Sequence, residues 1–204
     1  MIVIVNYGMG NLHSVYTQCK RVGFEPIISS IPDEINNADK LILPGVGHFK
    51  KGMEKLNQLD LIDVLSEKVI QQETPIFGIC LGMQLFSKKS KEGDAIGLGW
   101  IDAETNRFQI NDNKKYKIPH MGWNNVFTNN KSLIMEGISK SDEFYFVHSY
   151  HLECEDEDII IGETDYCYRF VSAIQKDNIY GTQFHPEKSH DSGLKILKNF
   201  LETV

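Results

Sequence analysis

A cysteine between two glycines, in the run Ile76-Phe77-Gly78-Ile79-Cys80-Leu81-Gly82-Met83-Gln84, has the surroundings a sulfur nucleophile requires. Residues 75–79 form an apolar stretch that reads as a buried strand, and residues 81–86 read as the start of a helix. Cys80 therefore falls on the corner between them. Such a corner needs small neighbours, because strand and helix approach closely. The helix N-terminus also favours a thiolate over a thiol. A core cysteine is the commonest fate of this residue type, so the partners decide. A thiol that attacks an amide needs a base, a group that orients the base, and N–H donors for the oxyanion. His185-Pro186-Glu187 follows the strand expected at residues 179–184. Residues two apart in an extended stretch project from one side, so Glu187 can orient the His185 imidazole and stabilise its cation. Pro44-Gly45-Val46-Gly47 follows another apolar strand, and its glycines let backbone N–H groups turn toward a substrate. Alone, His-x-Glu reads as a surface pair and Pro-Gly as a simple turn. Three strand ends that each carry a different part of one acyl-transfer apparatus outweigh those readings.

The elements that must position these groups change character along the chain. In the first half strands alternate with helices. Residues 2–5, 25–29, 40–43 and 75–79 are the strands, the third broken by Pro44-Gly45-Val46-Gly47. A helix carries Leu12, Val15, Cys19 and Val22 on one face and stops at Gly23, and residues 56–70 form another, with Leu61, Leu65 and Val69 as its stripe. This alternation predicts a parallel sheet covered on both faces, with ligands at the carboxyl ends of the strands. From Gly97 to Gln183 aromatic and β-branched runs at residues 144–147, 159–162, 170–174 and 179–184 predict antiparallel or mixed strands appended to that sheet. Residues 111–117 read as an exposed turn, and the five acids within residues 153–158 as a solvated loop. Residues 189–204 read as a closing helix whose buried face is Leu194, Leu197 and Leu201. No repeat or linker interrupts residues 1–204, which are expected to be one domain.

Composition narrows the partners. The chain has 204 residues, 21 basic and 28 acidic side chains and a net charge of −7, which disfavours nucleic acid as the main ligand. Four cysteines without metal-binding pairs or a dense framework predict reduced thiols in the cytoplasm. The start Met1-Ile2-Val3-Ile4-Val5 does not read as a signal peptide, and no apolar run reaches membrane-spanning length. The histidines 13, 48, 120, 148, 151 and 190 show no metal-ligand spacing, and His148-x-x-His151 reads as strand and turn. Met9, Met121 and Trp123 lie in glycine-bearing loops, off any helical stripe, and so are candidates for an interface.

The Gly78-Ile79-Cys80-Leu81-Gly82-Met83-Gln84 run with His185-Pro186-Glu187 resembles the class I (triad) glutamine amidotransferases. More narrowly, the chain is similar to the glutaminase subunits of imidazole glycerol phosphate synthases. That likeness rests on Asn6-Tyr7-Gly8-Met9-Gly10-Asn11, Leu43-Pro44-Gly45-Val46-Gly47, Pro119-His120-Met121-Gly122-Trp123-Asn124 and Gln183-Phe184-His185-Pro186-Glu187-Lys188-Ser189. The resemblance implies a flavodoxin-like α/β fold and a γ-glutamyl thioester on Cys80, with His185 as proton shuttle and Glu187 as its orienter. It implies an oxyanion loop of Gly45, Val46 and Gly47 aided by the Leu81 amide, with Val46 as part of a switch. Gln84, Glu92, Ser149 and Tyr150 match positions that hold the substrate glutamine. Asn11, Trp123 and Lys188 match segments facing a partner, a (β/α)8-barrel cyclase that receives ammonia through a sheltered channel and activates the glutaminase on docking. No cofactor or metal is implied. Many relatives carry Asp where this chain has Asn6, a departure that bears on docking or pathway and not on the chemistry. Ammonia supply to another synthase, as in surface-polysaccharide biosynthesis, stands as the alternative, and a non-catalytic docking subunit as a weaker one.

Overall fold

The computed structural model describes residues 1–112, 114–129 and 132–204. Asn113, inside the turn expected at residues 111–117, lies outside them. The first half alternates as its periodicity predicts: β1 (Ile2–Val5), α1 (Leu12–Arg21), β2 (Ile27–Ser29), α2 (Pro32–Asn36), β3 (Lys40–Gly45), α3 (Phe49–Gln58), α4 (Leu61–Ser66) and β4 (Ile76–Cys80). After the short helix α5 (Leu81–Gln84) come β5 (Lys89–Ser90), β6 (Ala95–Ile96), β7 (Ala103–Arg107), β8 (His120–Asn125), β9 (Phe127–Thr128), β10 (Glu143–His148), β11 (Tyr150–Cys154), β12 (Ile160–Asp165), β13 (Arg169–Lys176) and β14 (Ile179–Thr182). Helix α6 (His190–Thr203) closes the chain.

Among the described residues the main sheet runs β2-β1-β3-β4-β14-β13-β11-β7-β5-β6, with β12 pairing β13 and β9 beside that path. From β2 to β14 every pairing is parallel, while β14–β13, β13–β11 and β11–β7 are antiparallel. Strands β8 and β10 form a separate antiparallel pair. This is the α/β fold with an appended mixed region that the sequence predicts. The parallel strands are apolar on both sides because both faces are covered. Val3, Val5, Leu41, Leu43 and Ile76 join one core with Ile35 of α2, Phe49 and Leu56 of α3, and Leu61 and Leu65 of α4. Ile4, Ile42, Phe77 and Ile79 join the other, with Val15 and Cys19 of α1 and Ile196, Leu197, Phe200 and Leu201 of α6.

Several boundaries differ from expectation for local reasons. The single helix expected at residues 56–70 is two, because Asp60 takes a left-handed backbone (φ 54°) between α3 and α4. A π-helical turn, Glu67–Gln71, then extends α4. Helix α2 was not signalled by periodicity; it starts with Pro32 in its first turn, where the missing N–H costs nothing. Strand β3 continues through Pro44 to Gly45, where a break was expected. That proline is tolerated because β1 pairs with β3 only as far as Ile42, so no ladder bond is lost on that side. On α6, Leu194 is only half-buried, and Ile196, Leu197, Phe200 and Leu201 form the buried face.

Candidate active site

Strands β3, β4 and β14 are neighbours in the sheet, so the segments leaving their carboxyl ends converge. Cys80 is the last residue of β4 and has φ 55° and ψ −108°, a strained backbone for a non-glycine residue. The two flanking glycines serve close approach and not left-handed geometry, since neither has a positive φ. A β-carbon on Gly78 would lie 2.6 Å from the Phe86 ring, and one on Gly82 would overlap the carbonyl oxygen of Leu43. The helix after the corner is shorter than residues 81–86: α5 ends at Gln84, and Phe86 and Ser87 close i→i−3 turns.

His185 and Glu187 meet by a different route from the one expected. The backbone is extended only at His185; Pro186–Lys188 is a turn of 3-10 helix that folds Glu187 back toward the ring. His185 Nδ1–H donates to Glu187 Oε1 at 2.8 Å, with both side chains buried. The ring's other nitrogen, Nε2, is buried and makes no hydrogen bond, which leaves it available to Cys80, whose charge is felt at the ring. The His185 backbone is pinned on both sides: its N–H donates to the Tyr145 carbonyl at 2.9 Å, and its own carbonyl accepts from the Ser189 hydroxyl at 2.6 Å. Burial alone would lower the imidazole pKa, but attraction from Cys80 and from Glu187 outweighs it and pushes the pKa up to about 10. A raised pKa stabilises the fold fully below the unfolded value near 6.5, and the gain fades as pH rises through about 10. Glu187→Gln removes part of that attraction. Its stability deficit in urea unfolding is expected to be largest between about pH 5 and 6.5 and to close toward pH 10. A deficit independent of pH would contradict this coupling.

Beside Cys80 opens a cavity of about 360 Å³, lined by Val46, Gly47, Leu81, Gln84, Glu92, Pro119, Val147, His148, Ser149 and Tyr150. The four residues matched to substrate binding, Gln84, Glu92, Ser149 and Tyr150, thus share one wall system, though two have structural bonds as well. Gln84 Nε2 donates to the Tyr150 carbonyl and to Gln183 Oε1, both at 2.9 Å. Glu92 Oε2 accepts the Phe49 N–H at 2.7 Å and so caps the start of α3. Of the expected oxyanion loop, Val46 and Gly47 line the cavity, with Gly47 at φ 110°. Gly45 does not; it remains in β3, opposite Cys80 in the register. Leu81 opens α5, where backbone N–H groups have no intrahelical acceptor. The Asn6–Asn11 segment packs under this loop, since a β-carbon on Gly47 would lie 2.9 Å from Met9 Cε and one on Gly10 would lie 3.2 Å from the Pro44 carbonyl. Asn6 Oδ1 accepts the Gly8 N–H at 3.1 Å, a bond that a carboxylate makes equally well.

His148, at the cavity edge, is held in a neutral pair. Its Nδ1 lies 2.8 Å from the Tyr150 carbonyl and must donate, so its Nε2 accepts from His120 Nδ1 at 3.0 Å. Burial lowers both pKa values, that of His120 to about 4. Trp123 is 44% exposed, stacks on His190 at 4.8 Å and meets the Tyr145 ring edge-on. Lys188 Nζ sits 5.7 Å above the same Tyr145 ring. Trp123 and Lys188 therefore share one surface around Tyr145. Asn11 is exposed at the start of α1, where its side chain caps the Ser14 N–H at 3.3 Å. Two buried residues near the sulfur drew no assignment from the sequence. The Tyr7 hydroxyl lies against Gly45, and burial together with Cys80 raises its pKa. Gln183 Nε2 lies 3.6 Å from Cys80 Sγ. For Gln183 the signal was present, because it precedes His185 by two residues within the run expected as a strand, although β14 ends at Thr182.

The family model of the class I glutamine amidotransferases matches residues 3–204. The chain belongs to this family. Among similar proteins, imidazole glycerol phosphate synthase subunit HisH 2 of Methanococcus maripaludis is 50% identical over 99% of both chains. The protein of the same name from Pseudomonas aeruginosa is 46% identical over the full length of both. A solved glutamine amidotransferase structure superposes with a TM-score of 0.76 at 18% identity, covering 99% of this chain and 98% of the other, a likeness of fold alone. The amidotransferase thus has its Cys-His-Glu constellation and its cavity at the carboxyl edge of the parallel strands, where this class of sheet places ligands.

Proposed function

We propose that this amidotransferase hydrolyses L-glutamine to glutamate and ammonia at Cys80. The ammonia passes to a cyclase that makes imidazole glycerol phosphate and an aminoimidazole carboxamide ribonucleotide in histidine biosynthesis. The observation that carries the chemistry is the buried His185, bound to Glu187 through Nδ1 and with Nε2 left without a partner, whose ring feels the charge of Cys80 beside a cavity lined by Cys80, Gln84, Glu92, Ser149 and Tyr150. Full-length identity to HisH subunits supports the pathway.

Cys80 thiolate attacks the side-chain carboxamide carbon of glutamine, and the carbonyl oxygen becomes an oxyanion facing the N–H groups of Leu81 and the Val46–Gly47 turn. His185 Nε2–H gives its proton to the amide nitrogen, the C–N bond breaks, and ammonia leaves behind a thioester. Water then attacks the thioester carbon while His185 takes its proton, and the C–S bond breaks to release glutamate. Glu187 keeps the imidazole in the required tautomer throughout. Gln84, whose amide nitrogen is committed, offers its oxygen to the substrate's α-ammonium, as does the Glu92 carboxylate. Neither a cofactor nor a metal takes part.

The partner is a (β/α)8-barrel cyclase that docks over Asn11, Trp123 and Lys188 and receives ammonia out of contact with bulk water. Residues 1–204 act as one domain, in the cytoplasm, where the four free cysteines stay reduced. Among the described residues no helix is long and apolar enough to cross a membrane. The test is glutamine hydrolysis by the purified chain with and without the cyclase and its nucleotide substrate. Stimulation by the loaded cyclase supports the pathway. Cys80-dependent hydrolysis that the cyclase does not stimulate would assign the ammonia to another synthase. Lys188→Ala is expected to raise the Kd for the cyclase about 3- to 10-fold while basal hydrolysis stays within about twofold. Unchanged affinity and stimulation would remove Lys188 from the interface.

A further inference from the structure

Gln183 follows β14, its side chain is wholly buried, and the triad chemistry above makes no use of it. Its Nε2 lies 3.6 Å from the Cys80 sulfur, within range for an N–H···S bond. The orientation of this amide is set by its neighbours. The Tyr150 carbonyl can only accept, so the Gln84 atom 2.9 Å from it is the Nε2 donor. The second hydrogen of that nitrogen goes to Gln183 Oε1, also at 2.9 Å. With its oxygen held there, Gln183 must turn its own N–H toward sulfur. Its backbone is anchored too, by donation to the Ser172 carbonyl of β13 at 2.9 Å. An unbroken line of fixed donors therefore runs from a cavity-lining carbonyl, through Gln84 and Gln183, to the sulfur of Cys80.

We propose that Gln183 is a further catalytic residue of this site, its amide N–H fixing the Cys80 sulfur in place and favouring its ionised form. The inference rests on Cys80 being the nucleophile. A hydrogen bond to an ionised acceptor is about twice as strong as one to a neutral group, so the donor selects thiolate over thiol. The imidazolium of His185 supplies charge from one side, and Gln183 supplies a fixed dipole from another. Because Gln84 also lines the cavity, the sulfur's support and the substrate pocket share a side chain.

The test is the pH profile of Cys80 alkylation by iodoacetamide in the full-length chain, followed on the Cys80 peptide by mass spectrometry. Gln183→Met keeps length and volume and removes the donor. The alkylation midpoint is expected to rise by about one pH unit, with the rate on the acid side of the midpoint falling about tenfold, the scale of one lost hydrogen bond to a charged group. Glutamine turnover should fall through kcat, with KM changed less than about threefold. A folded Gln183→Met with an unshifted midpoint overturns the proposal, and so does a rise in KM alone, which marks a purely structural role. Should that variant not fold, Gln84→Met decides in its place, because it frees the Gln183 amide to rotate. A midpoint shifted in the same direction supports the proposal, and an unshifted one overturns it. Hydrolysis of glutamine by Cys80→Ala would instead overturn the nucleophile assignment, a separate result.

Discussion

Replacing Cys80 with alanine is expected to lower ammonia release from glutamine by a factor on the order of 10⁴ or more, the scale seen when a nucleophile is removed from an intact triad. The fold should survive, because the bond of Cys80 to Gln183 is weak, Glu187 still attracts the His185 ring once Cys80 is gone, and the methyl group of alanine occupies part of the same space. The left-handed backbone at position 80 suits alanine no better than cysteine, so the strain stays. Free ammonia supplied at alkaline pH should still support the cyclase reaction in a mixture with this variant, since nothing in the proposed docking surface changes. The measurement is product formed by the reconstituted complex with glutamine or with an ammonium salt as nitrogen donor. Glutamine-driven product at anything near the wild-type rate would show that the sulfur attacking glutamine is not that of Cys80. Loss of the ammonia-driven reaction as well would show that the substitution disturbs assembly and not chemistry.

Gly82→Ala is expected to cost about 3 kcal/mol of stability or more, or to prevent folding. The new β-carbon would overlap the Leu43 carbonyl oxygen, which belongs to the backbone of β3 and cannot swing aside as a side chain would. To relieve the overlap α5 must lift from β3, carrying Cys80 with it, so activity should fall together with stability. Gly99→Ala is the internal comparison. Gly99 has φ 70° and open space around its α-carbon, so only the left-handed backbone is penalised, at about 1 kcal/mol. Urea unfolding of the two variants checks the contrast. Equal losses at the two positions would show that close approach to the Leu43 carbonyl does not explain the glycine at position 82.

The reasons some features were legible are local. Alternating apolar runs and helical stripes are written directly into residues 2–80, and burial of both faces of a parallel sheet demands them. Cys80, His185 and the Val46–Gly47 turn each follow such a run, so their places at strand ends could be read without coordinates. The helix break at Asp60 could not, because a left-handed aspartate is an ordinary surface residue in sequence. The His185–Glu187 contact was reached for the wrong reason, since alternation along a strand was assumed and a 3-10 turn forms instead. Gly45 looked like part of the loop, yet pairing with β4 keeps it in the strand, because parallel neighbours extend each other for as long as both backbones remain extended.

The sequence by itself therefore determined the candidate reacting groups, the strand ends that carry them and the order in which strands and helices alternate. Those properties depend on residue type and on spacing within one element. Only the tertiary structure decided that β14 lies next to β4, which brings His185 and Gln183 to Cys80 from more than a hundred residues away. It alone set which wall of the cavity each polar side chain occupies, and which of those groups already have a partner. Such facts depend on pairing between distant segments, where a one-residue change of register would turn every side chain to the other face.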